Sequence, residues 1–305
     1  MRNAFARAVT ELAQSRDDVV LLAGDIGNRL FDQFKENYPD RFFNCGVAEA
    51  GMTGIAAGLA ATGLLPITYT ITPFNTVRCL EQIRLDICYP NYPAIIVGTG
   101  AGLSYASLGA THHSVEDIAL MRMLPNMHIV CPGDPLEVEL ALKAAADLKR
   151  PVYLRLGKKG EPTIHHEDPS FEIGKGIVLR NGKKVALLSV GNMLGVSFEV
   201  AELLEKSGIS PMLASLHTVK PLDELLLEKV FANFDRVVVI EEHSRSGGAG
   251  SAILEWAHSR KIAVSQLINV GLPDQFFSAC GSQHQARESL GLDAESIHKH
   301  IWSFL

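Results

Sequence analysis

The chain has 305 residues, 47% of them apolar and 20% charged, with a net charge of −6. That length exceeds one ordinary domain and favours two of roughly 150 residues each. The acidic balance leaves no basic footprint for nucleic acid. Five cysteines (Cys45, Cys79, Cys88, Cys131 and Cys280), with no CxxC pair, argue against a disulfide framework or a zinc ribbon and fit reduced thiols in a cytoplasm.

Taken in chain order, residues 2–15 predict an amphipathic helix, without the apolar core of a signal peptide. A buried strand is expected at 19–23, a helix at 30–38 stopped by Pro39, and a strand at 42–45. The stretch 50–70 is uncharged and long enough to cross a bilayer. Gly51, Gly54, Gly58, Gly63 and Pro66 break it up, so a small-residue helix at 47–62 running into a strand at 65–70 accounts for it, and no membrane span is expected. There follow a helix at 74–88, a strand at 94–97, a glycine-rich loop to His113, a helix at 115–123, a strand at 127–131, a helix at 135–148 and a strand at 152–154. Continuously apolar strands alternating with helices predict a parallel sheet covered on both faces.

The pattern lapses over 161–175, a polar linker in which His165 and His166 are expected to be exposed and not to ligate a metal. A second α/β unit follows. It opens with a hairpin turning at Asn181–Gly182, then shows helix 196–207, strand 211–216, helix 223–231, strand 235–241, helix 249–258 and strand 263–270. The expected organisation is therefore α/β with two domains, 1–160 and 176–305, each a mostly parallel sheet flanked by helices.

Several residues stand out chemically. Glu49 enters a helix of Gly, Ala and small apolar residues, and no Lys or Arg lies between Arg41 and Arg78. A carboxyl group buried there would have its pKa raised by desolvation. Read alone, a first-turn Glu is usually a solvated acid interacting with the helix N-terminus. Phe74 reads as core or as a ring platform. His112 sits in a loop whose four glycines suit an active-site lining. Arg155 and Lys158 follow the last strand of the first unit, where either could hold a phosphate or another anion. The turn at 247–250 runs from a strand into a helix start and suggests anion binding on its own.

The segment Asn44 to Ala60 resembles the pyrimidine-binding region of transketolases, with Gly46, Val47, Glu49 and Met52 matching its Gly-x-x-Glu-x-x-Met pattern. Phe74, Thr111–His112, Leu124-Pro-Asn126 and Gly247–Leu254 match in order, so the resemblance covers essentially the whole chain. It implies a thiamine-diphosphate-dependent enzyme in which Glu49 contacts N1′ of the aminopyrimidine and favours the tautomer that removes the thiazolium C2 proton. It also implies that Phe74 packs on that ring with Ile71 beside it, that Asp25 lines the pocket, that His112 faces the substrate, and that Arg155 or Lys158 takes an anion. Gly24–Asn28 is not the metal-binding motif of these enzymes, and no metal ligand is expected in this chain. No segment supplies the diphosphate-binding domain. The resemblance thus implies a partner subunit holding the diphosphate and Mg2+ (or Ca2+), an α2β2 assembly, and sugar or sugar-phosphate substrates. Ile71 where transketolases carry an aromatic departs from their ring cover, while Leu108 where they carry an Asp and a missing histidine near Gly100 point away from the usual pentose phosphates. The β subunit of a 2-oxoacid dehydrogenase, a 1-deoxyxylulose-5-phosphate-synthase-like enzyme and a non-catalytic regulatory subunit share the layout and stay open.

Overall fold

A computed structural model describes residues 1–27, 29–278 and 281–305, so Asn28, Ala279 and Cys280 lie outside the described residues. The first sheet is built from β1 (Val19–Ala23), β2 (Phe42–Asn44), β3 (Leu65–Ile71), β4 (Ile95–Thr99), β5 (His128–Val130) and β6 (Val152–Leu156). Its order is β10-β5-β6-β4-β3-β1-β2. The strands are parallel except β10 (Thr218–Lys220), which returns from the second unit and pairs antiparallel with β5. The sequence gives no hint of this loan. Helices α1 (Arg2–Ser15) and α7 (Pro135–Leu148) pack together on one face, and α3 (Glu49–Ala61) covers the other. β1, β3, β4 and β6 are buried along their whole length, as continuous apolar runs require.

The second sheet has the order β12-β11-β8-β9-β7, with β7 (Ile177–Arg180), β8 (Val185–Ser189), β9 (Met212–Ser215), β11 (Arg236–Ser244) and β12 (Leu267–Leu272). Here the expected hairpin fails. β7 pairs antiparallel with β9, while β8 lies parallel between β9 and β11. The wholly buried β8 takes the centre and the half-exposed β7 the edge. Helices α8 (Leu194–Lys206), α9 (Glu224–Asn233), α10 (Ala249–Ser259), α11 (Gln283–Ser289) and α12 (Ala294–Trp302) flank this sheet. One apolar cluster runs unbroken from Ile83, Ile118 and Tyr153 into Leu188, Val237 and Trp256, so the two sheets share a core.

Two further expectations change. The helix predicted over 74–88 is broken into α4 (Thr72–Asn75), α5 (Leu80–Gln82) and a π-helical turn at Ile83–Cys88. The Asn75 amide leaves the helix to donate to Val97 O at 2.9 Å and Thr68 Oγ1 at 3.1 Å, the kind of side-chain bond that competes with helical ones. His165 is buried, not exposed; its Nε2 lies 2.8 Å from Glu137 Oε1, tying the linker to α7. Among the described residues no helix is long and apolar enough to cross a membrane.

Candidate active site

The C-terminal ends of parallel strands are where an open α/β sheet leaves room for ligands. Asp25 follows β1, Glu49 follows β2, Ile71 and Phe74 close β3, His112 lies in the loop after β4, and Lys158 follows β6. All these candidates therefore reach the same sheet edge.

Glu49 opens α3 and is 2% exposed. Met52, Thr53, Ala56 and Ala60 continue its buried face, which is why the acid goes inward. Gly24 makes room for it: a Cβ there would lie 3.3 Å from Glu49 Cγ and 3.1 Å from Thr70 Oγ1. The Thr70 hydroxyl is buried and has no hydrogen-bond partner. Asp25, exposed beside it, exchanges bonds with Asn44: its N–H donates to Asn44 Oδ1 at 3.2 Å, and Asn44 Nδ2 donates to Asp25 Oδ1 at 3.0 Å.

The sequence missed the partner of Glu49. Arg78 ends the interval free of basic residues, yet its Nη1 folds back to donate to Glu49 Oε2 at 2.8 Å, so the carboxyl does not stand alone among apolar groups. The same guanidinium lies 4.2 Å above the Phe74 ring. Phe74 meets His112 edge-on at 5.2 Å, His112 meets Tyr105 at 6.0 Å, and Lys158 Nζ lies 4.0 Å over the Tyr105 ring. A continuous line of contacts thus joins Glu49, Arg78, Phe74, His112, Tyr105 and Lys158. Tyr105 was not anticipated; its only signal was an aromatic inside the glycine-rich loop.

The electrostatics grade along that line. Desolvation first, then His113 and Lys158, hold the His112 ring below the usual histidine pKa. Thr111 Oγ1 lies 2.9 Å from its Nδ1. Burial first, then Lys159 and Arg2, depress the Lys158 ammonium. Arg2 is a second residue that sequence reasoning passed over. It lines a groove with Arg7 and Arg29, and its buried Nε has no partner. A larger groove between Lys184, Phe234 and Trp302 opens at the strand starts of the second sheet, away from this line.

Arg155 does not belong to the line. It is 2% exposed, and its Nε donates to Asp117 Oδ2 at 2.7 Å while Nη2 reaches Ser114 O and Glu242 O, each at 3.0 Å. A guanidinium committed to internal acceptors is not presented to a substrate phosphate, so of the two anion candidates only Lys158 faces the site. The glycine-rich turn at 247–250 is likewise occupied from within. Glu241 accepts from Ala249 N–H at 2.7 Å and Gly250 N–H at 3.0 Å, filling the helix N-terminus that an external anion would use. Among the described residues no group of three or more His, Cys, Asp or Glu gathers as a metal site.

Known proteins are similar to this chain over nearly its whole length. Residues 1–161 match the family model of the transketolase pyrimidine-binding domain, and residues 174–297 that of the transketolase C-terminal domain. An apulose-4-phosphate transketolase subunit of Phocaeicola vulgatus is 31% identical over 306 residues, covering 100% of this chain and 97% of that one. A 1-deoxy-D-xylulose-5-phosphate synthase of Caldanaerobacter subterraneus is 35% identical over 297 residues, covering 96% of this chain but 47% of its own length. A solved structure described as a split-gene transketolase, an inactive β4 tetramer, superposes with a TM-score of 0.89 at 35% identity, covering 99% of this chain and 96% of that one. With both domains matched in order and nearly the whole length covered, the chain belongs to the transketolase family.

Proposed function

We propose that this chain is the cofactor-activating subunit of a two-component, thiamine-diphosphate-dependent enzyme that transfers a two-carbon ketol unit between sugar-type substrates. The observation that carries this reading is the line of contacts at the sheet edge: a buried carboxylate, an aromatic shelf, a histidine and a half-buried cation. The residues present fit the aminopyrimidine of the cofactor. Glu49 offers a carboxylate shielded from water, the unpartnered Thr70 hydroxyl lies beside it, and Phe74 presents a ring. Glu49, Phe74, Ile71 and Asp25 would hold that group. When bound, the cofactor supplies the nucleophile and the electron sink that ketol transfer needs.

The chain's own residues have separable tasks. Glu49 would share a proton with the ring nitrogen, an exchange that a dry carboxylate performs well. Arg78 must give way for that contact, and its half-exposed side chain is free to do so. The depressed pKa of His112 keeps its ring neutral near pH 7, able to accept a hydroxyl proton from the donor sugar and return it. Lys158, whose pKa is lowered by burial first and then by Lys159 and Arg2, provides the cationic end for a phosphate or similar anion. The exposed Leu108 replaces a polar contact with an apolar one in the same loop, which fits a substrate other than the usual pentose phosphates.

The diphosphate and its Mg2+ (or Ca2+) are assigned to a separate subunit in an α2β2 heterotetramer in the cytoplasm. The exposed apolar residues Val47, Ile55, Val77 and Tyr89 around the α3 face support a covered surface there. The relative described as an inactive β4 tetramer supports the need for a second kind of subunit. A second reading, with the donor chemistry of a 1-deoxyxylulose-5-phosphate synthase, is favoured by the relative of that name and uses the same Glu49 site.

Co-purification with a diphosphate-binding subunit, followed by assay with thiamine diphosphate and Mg2+, tests the proposal. Ketol transfer from a ketose phosphate is expected only when both chains are present. Turnover or tight cofactor binding by this chain alone contradicts the two-component reading. Turnover with pyruvate and none with a ketose selects the second reading.

A further inference from the structure

The loop that carries His112 is closed at its neck. Gly102 and Ser114 form an isolated antiparallel bridge with both N–H···O distances 2.9 Å, so residues 103–113 make a closed excursion between β4 and α6 (Asp117–Arg122). The first domain holds this neck from one direction, through Leu156 O, which accepts from Gly100 N–H at 2.8 Å and Ala101 N–H at 2.9 Å. Arg155 Nη2 adds a bond to Ser114 O at 3.0 Å from the same domain, and further ties come from the second domain, at the end of β11 and the start of α11. Leu103 N–H donates to Glu242 Oε2 at 3.2 Å, Ser244 N–H donates to Val115 O at 2.7 Å, and Gln283 Nε2 lies 3.3 Å from Ser104 Oγ.

Glu242 is the hub of these ties. Its side chain is fully buried, and its two oxygens receive Leu103 N–H, Asn192 Nδ2 at 2.6 Å, Gln283 Nε2 at 2.9 Å and Arg287 Nε at 2.6 Å. The loop approaches so closely that a Cβ at Gly102, whose φ is +61°, would overlap the carboxylate. Every group facing Glu242 is a donor, so only a carboxylate satisfies both sides. An amide would turn its NH2 either toward Leu103 and Asn192 or toward Arg287, leaving donor against donor in a buried site.

We infer that Glu242 is a positioning residue for the active site: from the second domain it sets where the loop presents His112 against Phe74. The role of His112 rests on the ketol-transfer reading; the clamp does not. It gives the C-terminal domain, otherwise remote from Glu49, a specific task in catalysis.

The test uses the two-chain complex and two variants. Glu242→Gln reverses the polarity of one side of the carboxylate. Gln283→Ala removes one tie from a short helix while leaving Glu242 paired with Arg287, so it reads the clamp even where the first variant folds poorly. In Glu242→Gln the Leu103, Ala106 and Ser114 amides should exchange about tenfold faster or more, because the charge-assisted bond from Leu103 N–H is lost, and in Gln283→Ala about threefold faster, because at the neck only the tie to Ser104 Oγ is lost, with those of β4 and β6 unchanged in both. The ketose kcat/KM of Glu242→Gln should fall about tenfold, mainly through KM, with Gln283→Ala following in the same direction to a lesser degree. In a His112→Ala background, Glu242→Gln should cost about twofold or less, because it acts through His112. Unchanged loop exchange in both variants overturns the clamp. An equal fold loss with and without His112 overturns its connection to catalysis. The exchange readout is independent of turnover, so failure of the clamp and failure of the ketol-transfer reading are told apart.

Discussion

Two arginine–carboxylate pairs in this molecule are alike in length and in the burial of their acid, and differ in the exposure of their arginine. Arg78 reaches Glu49 at 2.8 Å and Arg155 reaches Asp117 at 2.7 Å. The Arg78 side chain is 47% exposed, while that of Arg155 is 1% exposed. Arg155 also binds two backbone carbonyls, and Asp117 also accepts from Tyr153 Oη at 2.6 Å. Asp117 is held below the usual carboxylate range by Arg155, against the opposing effect of its burial. One pair is locked inside the first domain at its seam with the second, which the same guanidinium crosses to reach Glu242 O at 3.0 Å. The other leaves its acid a partner that can be exchanged for a ligand, which is what a site needs and a seam must avoid.

The sharpest way to break this comparison is at the seam. Arg155→Met strands Asp117 in the interior and should cost about 3–5 kcal/mol of stability, read by denaturant unfolding. Adding Asp117→Leu should recover part of that loss, because a buried ion pair is replaceable by apolar packing where a half-pair is not. A loss below about 1 kcal/mol for Arg155→Met, within the range of ordinary surface substitutions, would show that the pair is not the seam described.

A smaller effect is expected at the site. Lys158→Ala should raise the KM for a phosphorylated donor about tenfold, one charge-assisted contact's worth, with kcat and unfolding little changed. Were Arg155 the anion ligand, Lys158→Ala would leave KM unmoved. The same substitution should matter less for a donor without an anionic group, which sharpens the division of labour between the two cations.

Much of this was legible in the sequence. The alternation of apolar strands with helices marked both sheets, because buried parallel strands have no polar face to confuse the pattern. Glu49, Phe74 and His112 could be singled out, but only the fold joins them edge to edge. What escaped depends on contacts distant along the chain. The hairpin at 176–191 failed because β9 inserts between two segments that a short turn would have paired. Arg78 escaped because the segment after β3 reads in sequence as one straight helix, and its breaks are what turn that side chain back. Arg155 escaped because the strand expected to end at 154 runs on to Leu156 and buries it, whereas Lys158 lies beyond the strand end. Glu242 escaped in the same way: the strand expected to end at 241 runs on to Ser244, and the meaning of the acid appears only once Leu103 and Arg287 are seen around it.

The central claim is that Glu49 activates a cofactor whose diphosphate another chain holds. It is tested most directly by the exchange rate of the thiazolium C2 proton of thiamine diphosphate bound to the two-chain complex, followed by NMR for wild type and for Glu49→Gln. The account predicts that the variant still binds cofactor through the partner while exchange slows about a hundredfold or more, the contribution expected of a positioned acid–base group. Equal exchange rates in the two complexes, with cofactor bound in both, would contradict it.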